Sequence, residues 1–170
     1  MKLDVPYYSQ YLDIDDPYWT HRACGFCCFK MVSAHHGVEA GEIVDVANRA
    51  KREGGYGKYG IIHDYVIRLA KELGLKAFRE EKINEEKGTQ KIVSFLEAGN
   101  PVIVSVAEER EGKKLLHQIV IIGYEQEDEK IKGFYIHDSG KFYDNGGPNI
   151  FLPYENFLKD WRRMVIFVSK

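Results

Sequence analysis

The sequence predicts an α+β domain in which N-terminal helices pack on an antiparallel β-sheet. Three observations carry this expectation. Up to Ala98, apolar residues recur at helical spacing. After Pro101 the pattern changes to short runs rich in Val, Ile, Phe and Tyr. Helices come first and strands second, without the alternation that builds βαβ units.

Taken in order, Val5 to Ser9 reads as a short extended segment, and Asp13 to Trp19 as a polar loop containing Pro17. The first helix is expected over Gly25 to His36, with Cys28, Met31, Val32 and His35 on one face and Gly37 as its stop. The second spans about Gly41 to Arg52, with Ile43, Val46, Ala47 and Ala50 inward. Gly54 to Gly60 is a glycine-rich loop. A third helix covers Ile61 to Leu73, burying Ile62, Tyr65, Val66, Leu69 and Leu73 and ending at Gly74. A fourth starts with Thr89 as N-cap and runs to Ala98, before Gly99. Strands follow at Pro101 to Ala107, Leu116 to Tyr124, Ile131 to His137 and Arg163 to Val168. Mixed-sign turns separate the first three, which predicts an antiparallel meander. No repeat, linker or low-complexity run divides residues 1–170, so they read as one domain.

Composition narrows the function classes. The apolar share is 44%, the charged share 29% and the net charge −2, so nothing points to a nucleic-acid partner. No segment approaches the about 20 apolar residues of a membrane helix. Met1 to Pro6 lacks the apolar core of a signal peptide, which predicts a cytoplasmic protein. A secreted chain whose signal had been removed would read the same way. All three cysteines fall within Cys24 to Cys28, which is not a disulfide framework.

The chemistry-bearing residues are Cys24, where a helix begins, and His117, where an apolar strand begins. Nucleophilic attack by cysteine needs the thiolate. A free thiol has a pKa near about 8.5, which a helix N-terminus and an imidazolium lower. Gly25 leaves little bulk beside the sulfur. An imidazole base also needs a group that fixes its tautomer. Asp138 ends the strand after that of His117. If the two strands pair antiparallel about a turn at Glu127 to Glu129, His117 and Asp138 become neighbours. The developing oxyanion needs donors, for which the Cys24 N–H and the Gln10 amide are the candidates.

Val5-Pro6-Tyr7-Tyr8-Ser9-Gln10, Trp19, Cys24-Gly25 and Met31-Val32 together resemble the papain-like cysteine peptidases of the bacteriocin-processing, double-glycine leader type, and most their stand-alone relatives. Leu96 to Val104, His117 with Val120-Ile121-Ile122-Gly123-Tyr124, and Asp138 follow in the same order. The resemblance implies a papain-like fold, catalytic Cys24, His117 and Asp138, oxyanion-hole Gln10, a peptide or amide substrate, and no cofactor. The chain departs from the family at Phe26, Cys27 and Cys28, where members commonly carry Pro, Thr and Ser.

Cys27 is the rival nucleophile, because the papain signature places its active thiol second of two cysteines; the upstream Gln10 and the Met31-Val32 spacing favour Cys24. Cys24, Cys27, Cys28, His35 and His36 point several ways on one helix, so no metal site is predicted. His137 faces away from Asp138 on its strand and is expected at the surface. Asp13, Asp15 and Asp16 lack the Gly and distal Glu of a calcium loop. The loop at Gly54 to Gly60 is expected to rim the cleft, with Tyr56 and Tyr59 touching substrate. The same nucleophile would serve an acyltransferase of the transglutaminase kind, and a silent peptide-binding module would keep the fold without turnover.

Overall fold

The computed structural model describes residues 1–170. The first helix, α1, runs Cys24–His35, and its residues Gly25 to Ser33 are buried without a break. One apolar face was expected, but the helix is enclosed on all sides, the pattern of a central rather than a surface helix. Helix α2 (Ile43–Arg52) lies against α1, with Ala47 and Ala50 fully buried. A two-stranded hairpin, β1 (Tyr56–Gly57) and β2 (Gly60–Ile61), occupies the glycine-rich loop. Helix α3 (His63–Glu72) follows. Ile62 is its N-cap and is exposed rather than inward.

Strand β3 (Lys76–Glu80) comes next, then α4 (Glu85–Glu97). The cap of α4 is Asn84, whose side chain accepts a hydrogen bond from the Lys87 N–H at 3.2 Å, and not Thr89. The first turn, Glu85-Glu86-Lys87, is wholly polar, so apolar spacing did not reveal it; its two carboxylates favour the positive end of the helix. Thr89 lies buried inside the helix with its hydroxyl 2.9 Å from that of Tyr154.

The remaining strands are β4 (Val102–Arg110), β5 (Lys113–Glu127), β6 (Lys130–Asp138), β7 (Gly147–Pro153) and, after helix α5 (Tyr154–Asp160), β8 (Trp161–Ser169). They form a six-stranded sheet in the order β3-β8-β4-β5-β6-β7, antiparallel throughout. Strand alternation divides the core between two faces. Ile103, Val120, Ile122, Ile166 and Val168 join α1, α2 and α3 on one face. Val102, Val104, Ile119, Ile121 and Phe167 join Ile92 and Leu96 of α4 and Phe157 of α5 on the other.

The N-terminal segment crosses the sheet: the Leu3 N–H bonds the Ile122 carbonyl at 2.7 Å, and Lys2 bridges to Gly123. This covering overturns the expectation for His137. It faces away from the Asp138 side, but it is 2% exposed rather than on the surface. Its Nδ1 accepts from the Asn149 N–H at 3.2 Å, so Nε2 carries the proton and donates to the Val5 carbonyl at 2.9 Å. Burial lowers its pKa.

Candidate active site

Helix α1 begins without a side-chain cap and with no acidic residue in its first turn. Its unpaired N–H groups and positive dipole end therefore fall to Cys24, the first helical residue. Gly25 is required by close packing. A Cβ there would lie 2.2 Å from Ile61 Cγ2 and 2.5 Å from Gln118 Oε1. Cys24 is partly exposed, whereas Cys27 and Cys28 are buried. Burial pushes the thiols of Cys27 and Cys28 well up. At Cys24 burial also opposes ionisation. Hydrogen bonding and charge from His117, with the backbone N–H groups of Gln118 and Gly25, outweigh it and lower the pKa.

The β5–β6 hairpin brings His117 to Asp138. Glu127 pairs with Lys130, and the turn residues Asp128 and Glu129 have φ of 47° and 63°, the geometry of a tight primed turn. Val120 pairs with His137, so Asp138 lies one step beyond, diagonal to His117 on the same face. His117 Nε2 and Asp138 Oδ1 are 2.5 Å apart, which leaves Nδ1 for the thiol. Asp138 is fully buried, and its carboxylate also accepts the N–H groups of Gly140 (2.9 Å), Phe142 (3.1 Å) and Tyr143 (2.9 Å). Burial opposes its ionisation, but these bonds and His117 hold its pKa below the usual carboxylate value. Burial likewise works against the charged imidazole, and the bonds to Asp138 and Cys24 raise the His117 pKa. The two shifts together favour a thiolate beside an imidazolium. Phe142 stacks on the His117 ring, with centroids 5.1 Å apart and planes 14° from parallel.

Gln10 is buried at the same place. Its Oε1 accepts from Ser139 Oγ at 3.1 Å, and its Nε2 donates to the Thr20 carbonyl at 3.0 Å, leaving one amide proton. Gly140 fills the space between Gln10 and His117: a Cβ on it would lie 3.0 Å from Gln10 Oε1 and 3.2 Å from His117 Cε1.

Two cavities border both Cys24 and the β1–β2 hairpin tip. One, of about 280 Å³, is lined by His63, Ser105, Gln118, Arg79, Arg162 and Met164 among others. The other, of about 300 Å³, is lined by His21, Arg22, Lys114 and Leu115. Lys58, Tyr59 and Gly60 border both. Tyr59 is 74% exposed at this rim. Tyr56 is half-buried against Trp19, at 4.9 Å between centroids, and reaches only the second cavity. His63, Ser105 and Gln118 were missed in the sequence. His63 Nε2 lies 3.2 Å from Ser105 Oγ and 2.9 Å from Gln118 Nε2, a contact among three strands and helices that no local motif announces. No group of three or more His, Cys, Asp or Glu side chains is arranged to hold a metal ion. No helix is long and apolar enough to cross a membrane.

A helix-borne cysteine facing a sheet-borne histidine and carboxylate, on this α+β frame, is the architecture of the papain-like cysteine peptidases. The chain belongs to the Peptidase_C39 like family, which matches residues 2–166. Among solved structures it is similar to the peptidase domain of Streptococcus ComA, a bi-functional ABC transporter involved in a quorum-sensing pathway. The TM-score is 0.63 at 19% identity, covering 88% of this chain and 92% of that one. It is also similar to a double glycine motif protease from an AMS/PCAT transporter in complex with the leader peptide. There the TM-score is 0.65 at 17% identity, covering 99% of this chain and 94% of that one. No curated protein matches the sequence.

Proposed function

We propose that this protein is a cysteine peptidase-like hydrolase that cleaves a peptide or amide bond through Cys24, His117 and Asp138. The observation that carries this reading is the partly exposed Cys24 at an uncapped helix start, together with a His117 held 2.5 Å from buried Asp138; hydrogen bonding and charge from His117 hold the Cys24 thiol pKa down. The thiolate attacks the carbonyl carbon, and the Cys24 N–H and the free Gln10 amide proton stabilise the oxyanion. His117 gives its proton to the leaving amine as the C–N bond breaks, leaving a thioester. Water then attacks, with His117 taking its proton, and the thiolate is restored. Asp138 holds the imidazole in place throughout.

The peptide-bound neighbour supports a peptide as substrate. A reducing setting such as the cytoplasm suits chemistry that depends on a free thiolate. Incubation with a mixed peptide library, read by mass spectrometry, tests the reading. New termini should appear with the wild type and not with Cys24→Ala. Identical products from both proteins, or none from either, would refute it. Added amines appearing in the products would instead assign the acyl group to transfer rather than to water.

A further inference from the structure

The charge around Cys24 is lopsided. The two cavities are bordered by five permanent cations and only two carboxylates, Asp64 and Glu81. Both carboxylates are already engaged by Arg79. Arg22, Lys58, Lys114 and Arg162 make no ion pair within the chain, although its net charge is −2. The cavity of about 300 Å³ is the extreme case, with Arg22, Lys58, Lys114 and His21 on its wall and no acidic residue. The Arg22 guanidinium is held in position, 4.5 Å above the Tyr18 ring with Nη1 donating to the Tyr18 carbonyl at 2.8 Å. A cleft lined by one sign of charge focuses the field and concentrates ligands of the other sign.

Resting on the hydrolase reading above, we infer that the cleft takes a substrate with a carboxylate close to the scissile bond, received between Arg22, Lys58 and Lys114. That carboxylate is an acidic side chain or a C-terminal α-carboxylate, since the chemistry is shared.

The test compares alkylation of Cys24 by iodoacetate, which is anionic, and by iodoacetamide, which is neutral and of the same size. In the Lys58→Gln/Lys114→Gln variant the ratio of the two rates should fall at least about threefold from its wild-type value. The iodoacetamide rate itself should stay within about twofold, because the thiolate and His117 are untouched. The ratio should also fall with added salt in the wild type and less in the variant. An unchanged ratio, with Cys24 still reacting selectively, would overturn the inference alone. Failure of iodoacetamide to select Cys24 would overturn the hydrolase reading and this one with it. Protection of Cys24 distinguishes the sources: acetyl-Gly-Glu-amide carries only a side-chain carboxylate and acetyl-Gly-Gln only an α-carboxylate. Protection by either, beyond that by neutral acetyl-Gly-Gln-amide, supports the inference, and equal behaviour of all three counts against it.

Discussion

Cys24 is distinguished from its two neighbours by what surrounds the sulfur. Cys27 and Cys28 lie one turn deeper, fully enclosed, with thiols pushed towards the neutral form. Cys24 has backbone donors, a dipole end and an imidazole. The opposite shifts of Cys24 and His117 set the pH dependence. Thiolate is present above the lowered pKa of Cys24, and imidazolium below the raised pKa of His117. Turnover should therefore follow a bell, its acid limb below the about 8.5 of a free thiol and its alkaline limb above the about 6.5 of a free histidine. A kcat/KM profile with limbs at those unperturbed values would speak against the pairing. Gln10 separates two steps. Alkylation of the thiol needs no oxyanion hole, whereas amide hydrolysis does. Gln10→Ala should lower kcat by about 10²–10³-fold and leave the iodoacetamide rate within about twofold. Equal losses in both would make Gln10 a structural residue only. Gly25→Ala has no room, with Ile61 and Gln118 in the way. It should cost about 1–3 kcal/mol in denaturant unfolding.

At the level of elements, the site depends on a hairpin and a helix start. The β5–β6 turn carries two residues at positive φ, Asp128 and Glu129, neither of them glycine. Replacing them by Asn and Gly should relieve that strain and raise stability by about 0.5–1 kcal/mol, measured as a higher Tm. A lower Tm would contradict the turn geometry. This hairpin also explains how much of the site was legible. His117 and Asp138 could be paired from the sequence because an antiparallel hairpin with a central mixed-charge turn sets its own register. Cys24 could be placed because Gly25 and the apolar residues after it mark a helix start. His63, Ser105 and Gln118 come from α3, β4 and β5 and meet only through tertiary packing, so their spacing carries no signal. Strands β3 and β7 and helix α5 were likewise absent from the sequence reading. Lys76 to Glu80 and Gly147 to Pro153 are edge strands, short and largely exposed, with little apolar pattern to read. His137 misled because alternation gives a side of the sheet, and the N-terminal segment that covers this side lies far away in sequence.

Over the whole molecule, one sheet separates two apolar clusters, and the site draws on both: Cys24 stands on α1 of the first, and His117 stacks on Phe142, which packs against the second. The second cluster holds Phe134, Phe157 and Phe167, all fully buried. Phe157→Ala should cost about 3–5 kcal/mol of stability, while Cys24 in the protein that remains folded keeps its alkylation rate. A slowed Cys24 in that folded fraction would show that the second cluster holds the site in shape. Solved structures at 17–19% identity share this fold. The most direct test of the central claim is the rate of iodoacetamide alkylation at each of the three cysteines near neutral pH, in the wild type and in His117→Ala. The thiolate–imidazolium account predicts that Cys24 alone reacts quickly and that the substitution slows it. Equal rates at Cys24 in the two proteins, or faster reaction at Cys27, would contradict it.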